Sequence, residues 1–119
     1  MFRFKNWKVY NDARLIRLEI HKVLFPKIPS TERFNLLSQC QRAFDSVILN
    51  IAEGSYRKSD KDFAHFLNQS IASLYEFVAI LDLLLDSGYI NKQEHESFIL
   101  KSENLAKQIS AFSRVLKSS

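Results

Sequence analysis

Hydrophobic residues recur at spacings of three and four in four separate stretches of this chain, with polar residues between them. That period is typical of amphipathic α-helices, and it predicts helices over residues 7–25, 31–54, 59–88 and 91–116. Short connectors join neighbouring helices that run in opposite directions. The pattern therefore predicts an all-α fold, an antiparallel up-down-up-down four-helix bundle, with residues 1–119 forming a single domain.

The second segment is the central helix of this prediction, and a polar stripe runs beside its broad apolar face. The stripe repeats at spacings of three and four and consists of Gln39, Arg42, Ser46, Asn50 and Glu53. Side chains aligned in this way fit either an ordinary solvated face or an edge that meets another chain, and we assign them to an oligomer interface. Gly54 is expected to end the helix in the left-handed conformation, which glycine adopts without steric cost.

Two later helices carry signals for their first turns. Ser59 with Asp62, and Asn91 with Glu94, have the spacing of a capping box, in which a side chain accepts from a backbone N–H of the first turn. The third segment is the most apolar of the four, and Ser70 is the one polar member of its hydrophobic stripe.

The first segment has large apolar residues on two faces. One face is suited to the core and consists of Val9, Ala13, Ile16, Ile20, Val23 and Leu24. Trp7, Leu18 and Phe25 fall on a different side. Either Trp7 and Phe25 cap the two ends of the core, or this second face is an oligomer contact. We assign Trp7 and Leu18 to an oligomer interface.

Composition supports a helical bundle. The 119 residues are 46% hydrophobic and include only two glycines and two prolines, whereas sandwiches and barrels need many turn residues. The single Cys40 lies on the apolar face of the central helix, where we expect a small buried hydrophobe. Neither an uninterrupted apolar run of membrane-spanning length nor a charged-then-apolar leader is present, so a soluble, cytoplasmic protein without a membrane partner is expected.

The net charge of +4 is unevenly distributed along the chain. Residues 1–27 hold seven Lys or Arg against two acids, which gives +5, and residues 28–58 hold four against three, which gives +1. Residues 59–88 hold one Lys against five acids, which gives −4, and residues 89–119 hold five against three, which gives +2. This segregation fits either a polyanionic ligand or the pairing of unlike patches between chains.

Basic residues of the first segment are the main candidates for nucleic-acid contacts. They are Arg3, Lys5, Lys8, Arg14 and Arg17. Arg57 and Lys58 are secondary candidates because they stand beside Tyr56, an aromatic residue suited to stacking on an unpaired base. The same two cations follow a predicted helix C-terminus, where they would also offset the helix dipole.

Catalytic and metal-binding patterns were not found in the sequence. The Glu-x-x-His pairs of di-metal bundles are missing, and His21, His65 and His95 fall on three different predicted helices. Antiparallel pairing around Tyr56 would place Glu76 opposite about residue 37, too far from Glu53 for the two carboxylates to share a proton. We therefore expect no catalytic residues, no metal and no cofactor.

The central helix also carries a specific string, QxxRAxxSVxxNIAEG over residues 39–54, followed by RKS and then DF. With Trp7, the Phe25-Pro26 break, an SxYE element at 73–76 and a Gly-Tyr-Ile turn at 88–90, it resembles the small four-helix bundle protein family, also called the 23S ribosomal RNA intervening-sequence protein family. Ser70 and Ala72 stand where Ala and Gly are expected ahead of that Ser-x-x-Glu.

The resemblance implies a homopentameric ring of helical bundles and no known enzymatic activity. The family is similar to a retroelement accessory variability protein that binds nucleic acid and a reverse transcriptase. The sequence and the resemblance together favour a non-catalytic oligomer that binds RNA or DNA through charge. The alternative is a protein-protein interaction scaffold with no role in nucleic-acid binding.

Overall fold

Four α-helices account for most of the computed structural model, which describes residues 1–117. They are α1 (Lys8–Glu19), α2 (Leu36–Ser55), α3 (Asp60–Asp86) and α4 (Lys92–Lys117). Across residues 1–117 there is no β-strand. The predicted all-α fold with four helices is therefore confirmed.

The first helix is shorter than predicted because it changes its winding near its end. α1 passes directly into a π-helical turn, Ile20–Leu24, and then into a 3₁₀ turn, Phe25–Lys27. Pro26 lies in that last turn and cannot donate the backbone hydrogen bond that would continue a helix. Ile20 and Leu24, both predicted core residues, are the first and last residues of the π-helical turn and are fully buried.

The second helix begins five residues later than predicted, at Leu36 instead of residue 31. Ser30–Glu32 forms a 3₁₀ turn, and Asn35 has a non-helical backbone with φ −128° and ψ −103°. The Glu32 carboxylate accepts hydrogen bonds from the Tyr89 hydroxyl and from the Asn35 amide, both at 2.9 Å. These tertiary and local bonds hold the segment in a loop, although its sequence resembles a helix start.

Gly54 does not have the predicted left-handed conformation. The helix continues through it to Ser55, and among the described residues positive φ occurs at Gly88, with φ 77°. Gly54 is instead buried where two helices approach closely, and a Cβ built on it would lie 2.8 Å from Cδ1 of Phe63. Glycine is required there for space rather than for backbone conformation.

Both predicted helix caps are confirmed. The Asp62 backbone N–H donates to Ser59 Oγ at 3.1 Å. At the start of α4 the box is reciprocal, because the Glu94 N–H donates to Asn91 Oδ1 at 2.8 Å and the Asn91 N–H donates to Glu94 Oε1 at 2.9 Å. These side chains satisfy backbone donors that a helix start leaves unpaired.

Contacts between neighbouring helices are antiparallel: residue numbers rise along one helix as they fall along its neighbour. Arg3 and Arg17 of the first segment meet Ser55 and Asp45 of α2, respectively. α2 meets α3 through Ser46–Ser73, Arg42–Glu76 and the buried pair Phe44–Phe77. α1 meets α4 through Trp7–Phe112, Asp12–Gln108 and Glu19–Lys101.

The register of α2 against α3 differs from the prediction. Glu76 lies against Arg42, whereas pairing around Tyr56 placed it near residue 37. The non-helical connector extends to Ser59, so the centre of the turn is later than the sequence indicated. By the helical rise, Glu53 is then about 16 Å along α2 from the Arg42–Glu76 pair, which still separates the two carboxylates.

The core lies between all four helices and includes Cys40, which is fully buried as predicted. Burial raises the pKa of the Cys40 thiol to about 12, because the charged thiolate loses its hydration. α3 is long and apolar enough to cross a membrane by length and composition, with a mean hydropathy of 1.2 over its most apolar window. Of that window, 39% is buried within the bundle.

Candidate functional site

One end of the bundle gathers cations from two distant parts of the chain, and we call it the connector end. It is formed by the N-terminal residues 1–7, the α2–α3 connector and the last turns of α4. The Arg3 guanidinium donates to the carbonyl oxygen of Ser55 at 3.0 Å. It also lies over the rings of Trp7 and Phe63, at 5.6 and 5.8 Å from their centroids.

A cluster of three aromatic rings underlies Arg3. Trp7 stacks on Phe63 with centroids 5.5 Å apart and an interplanar angle of 17°, and it meets Phe112 edge to face at 4.9 Å. Trp7 is half-buried in this cluster and covers the end of the core, as the capping alternative proposed. Its assignment to an oligomer interface stays a prediction.

Arg57 lies in the connector itself and, like Arg3, is placed against an aromatic ring. Its guanidinium lies 4.3 Å from the centroid of the Phe66 ring, a distance at which the negative face of the ring attracts a cation. Tyr56 beside it is 85% exposed, and Lys5 and Lys58 are exposed as well. The fold therefore brings Arg3 and Lys5 to the end that holds the secondary candidates Arg57 and Lys58.

The remaining basic candidates lie on α1 and have partners within the chain. Lys8 pairs with Asp12 at 2.5 Å, and this hydrogen bond, with a second from Gln108, holds the pKa of the Asp12 carboxyl below its usual value. Arg17 pairs with Asp45 at 2.6 Å. Two of the five primary candidates are thus partly neutralised by neighbouring carboxylates.

Arg14, the third basic candidate on α1, contacts a ring and an amide side chain, whereas Lys8 and Arg17 pair with carboxylates. Its guanidinium lies 5.6 Å from the centroid of the Tyr10 ring and donates to the Asn11 side chain at 3.3 Å. Within residues 1–117 no carboxylate pairs with Arg14, Arg3 or Arg57. These three cations are each placed against an aromatic ring instead.

The predicted polar stripe of α2 borders α3, and two of its members bond to side chains of that helix. Arg42 pairs with Glu76, and Ser46 Oγ lies 2.8 Å from Ser73 Oγ. Asn50 donates to the carbonyl oxygen and the hydroxyl of Ser46, at 2.8 and 3.0 Å.

The two ends of the stripe are more open. The Gln39 amide donates to the Asn35 side chain at 3.0 Å. Glu53 is exposed and lines a shallow groove with Asp45 and Leu49. Leu18, the other predicted interface residue, is 62% exposed.

Histidines and carboxylates are dispersed in the described part of the chain. No three of the His, Cys, Asp and Glu side chains within residues 1–117 are arranged to hold a metal ion. His95 lies 2.7 Å from Asp82, His65 lies 3.1 Å from the Gln69 amide, and His21 packs on the Phe25 ring. Each histidine has a local partner of its own.

The aromatic support of the cations was missed in the sequence. Phe63 and Phe66 belong to the hydrophobic stripe of the third segment, and that pattern by itself indicates only a core position. Their spacing of three puts both rings on one side of the helix, close to its start and therefore close to the connector. That spacing was the available signal for a site built from rings and guanidinium groups.

Comparison with a family model and with a solved structure shows which proteins this chain is similar to. The family model described as "23S rRNA-intervening sequence protein" matches residues 5–111. A crystal structure of a protein with unknown function from the S23 ribosomal protein family of Bacteroides thetaiotaomicron is similar to this chain, with a TM-score of 0.79 and 23% identity. The match covers 88% of this chain and 97% of that one, and it supports the fold. A search of curated proteins returned no significant match.

Proposed function

Because the chain belongs to the 23S rRNA-intervening sequence protein family, with a match over residues 5–111, we propose that it is a non-catalytic, oligomeric helical bundle that binds RNA or DNA electrostatically. Binding takes place at the connector end, where Arg3, Lys5, Arg57 and Lys58 contact backbone phosphates. Tyr56 provides an exposed ring for an unpaired base.

The observation that carries this proposal is the convergence of two basic segments on one aromatic-lined end. Arg3 reaches the α2 C-terminus through its bond to Ser55, next to the connector that holds Arg57 and Lys58. Guanidinium groups held against rings keep a fixed position while their outer N–H groups remain available to phosphate oxygens. No base-reading motif accompanies them, so the expected binding has little sequence preference.

Assembly is part of the proposal, since one chain with a net charge of +4 offers few phosphate contacts. A homo-oligomer repeats each cluster at fixed spacing, and weak sites then add through avidity. The family resemblance favours a pentamer. We also propose an up-down-up-down helix order, supported by the reverse-order contacts of α1 with α2, α2 with α3 and α1 with α4, and a cytoplasmic location without a catalytic or membrane role.

The test is a titration of labelled structured RNA and duplex DNA at about 50 and 200 mM salt, because phosphate contacts release counterions and lose affinity steeply between those concentrations. The variant carries Lys5→Glu, Arg57→Glu and Lys58→Glu, which change exposed cations of the connector end without breaking a described ion pair. Wild-type protein is expected to bind at the lower salt, and the variant to lose at least tenfold in affinity.

A matched control carries Lys22→Glu, Arg33→Glu and Lys92→Glu. It makes the same change in net charge with exposed residues at the opposite end of the bundle. The control should retain most of the wild-type affinity. If neither nucleic acid binds at the lower salt, or if both triple variants bind equally well, the nucleic-acid proposal is wrong and the protein scaffold is the better explanation.

A further inference from the structure

The outward face of α3 is apolar over its C-terminal half. Tyr75 is 71% exposed and Leu83 is 48% exposed, and the small exposed residues Ala72 and Ala79 continue the same row at spacings of three and four. The row spans the twelve residues 72–83, or about 16 Å at the rise of an α-helix. Large apolar side chains on the solvent side of the most apolar helix are more than a solvated face requires.

The charge beside this row has one sign. No lysine or arginine occurs between Lys61 and Lys92, while that interval contains four acids. Asp82 and Asp86 are exposed and lie within one turn of Leu83. The outward face of α3 is therefore an acidic, apolar ridge, and we use that name for Ala72, Tyr75, Ala79, Asp82, Leu83 and Asp86.

A groove of opposite character runs between α1 and α4 near the connector end. Its apolar lining comes from Trp7, Val9, Ala111, Phe112 and Val115. Residues 1–11 contain three Lys or Arg and no acid, and residues 104–119 likewise contain three and no acid. Lys8 lines this groove too, and Lys107 and Arg114 are exposed on α4 within one turn of Ala111. Cations thus flank the apolar lining, and we call the whole surface the basic groove.

The ridge and the groove cannot meet within one chain, because α1 and α3 each pack against α2 and α4, which lie between them. We propose that the ridge of one copy docks in the basic groove of a second copy of this chain. Charge complementarity selects this occupant, since the ridge has acids where the groove has cations. Such a head-to-tail contact uses two different surfaces and closes into a ring when the rotation allows.

This inference rests on the proposed oligomeric state and names the two surfaces that build it. It also gives roles to Lys107 and Arg114, which the nucleic-acid proposal does not use. Trp7 then contributes in two ways, because it caps the core of its own chain and forms part of the groove floor.

Charge-swap variants of the full chain test the contact. Variant one carries Asp82→Lys and Asp86→Lys, and variant two carries Lys107→Glu and Arg114→Glu. Each variant alone presents like charges on its ridge and its groove, and it should fall from a multiple of 13.9 kDa to about that mass in light scattering. A third variant with all four substitutions has a basic ridge and an acidic groove in every copy. It therefore pairs unlike surfaces in a ring of any size, and it should recover a mass of several chains.

Controls and contrary outcomes separate this inference from the broader proposal. Glu96→Lys and Lys22→Glu change exposed charges elsewhere and should leave the wild-type mass unchanged, while circular dichroism checks that every variant is folded. If wild type is oligomeric but folded variants one and two keep its mass, or if the third variant stays monomeric, the ridge–groove contact is wrong and the oligomer stands. If wild type itself has a mass of one chain at micromolar concentration, both proposals are wrong.

Discussion

The Phe63 ring of α3 lies against the backbone of Gly54 in α2, so close that a β-carbon on Gly54 would be 2.8 Å from Phe63 Cδ1 and 3.0 Å from the β-carbon of Phe66. The same ring stacks on Trp7, which lies beneath Arg3. Space at one glycine therefore determines how near α2 and α3 approach at the connector end, and with it the position of the aromatic cluster.

Gly54→Ala is expected to destabilise the fold by about 1–3 kcal/mol, the usual cost of forcing an extra methyl into a packed site. Alanine has the better helix propensity, so a propensity-only account predicts the opposite sign. Urea unfolding followed by circular dichroism measures the difference. The double variant Gly54→Ala, Phe63→Leu should lose less than the sum of the two single changes, and strict additivity would contradict the proposed clash.

Three buried serines should respond differently to replacement by alanine. Ser70 Oγ donates to the carbonyl oxygen of Val47 at 2.7 Å, whereas Ser102 Oγ and Ser113 Oγ have no hydrogen-bond partner among the described residues. Ser70→Ala is expected to lower the free energy of unfolding by about 1 kcal/mol, and Ser102→Ala and Ser113→Ala to raise it by a similar amount. Equal effects at all three positions in urea unfolding would contradict this assignment.

Cys40 should be chemically inert in the native protein. Its thiol is fully buried, and its pKa of about 12 leaves almost no thiolate at neutral or mildly alkaline pH. A colourless aromatic disulfide reagent is expected to react with it only as urea unfolds the chain, with the rate following the unfolded fraction. Rapid modification without urea would show that the core opens locally around α2.

Glu94 should make stability depend on pH. Its bond from the Asn91 backbone N–H, and then its pairing with Lys27, hold the pKa of its carboxyl below the ordinary 4.5. A lowered folded-state pKa gives stability that is present above 4.5 and is lost as pH falls through the lower folded value.

The urea midpoint of the wild type should accordingly fall as the pH is lowered below 4.5. Glu94→Gln keeps a side-chain acceptor for the Asn91 N–H but removes the titrating group, so its midpoint should change less in the same pH interval. Glu96→Gln, a change of an exposed residue two positions further along α4, is the control and should keep the wild-type dependence of the midpoint on pH. Identical acid responses of all three proteins would contradict the role assigned to Glu94.

Short-range features of this protein were determined by its sequence. Four amphipathic periods, the caps at Ser59 and Asn91, and the burial of Cys40 depend on residues within a few turns of one another, and each is present in the structure. The specific string in the central helix also indicated the family, which the match over residues 5–111 confirms.

Only the tertiary structure decided how these helices meet. The late start of α2 depends on the Glu32–Tyr89 bond between residues 57 positions apart, and the role of Gly54 depends on a ring from the next helix. Likewise, the pairing of Arg17 with Asp45, and the convergence of Arg3 with Arg57, follow from helix register, whereas the Lys8–Asp12 pair lies within one helix at a spacing of four. Register is set by side-chain packing across the core, and a one-dimensional period of apolar residues does not contain that information.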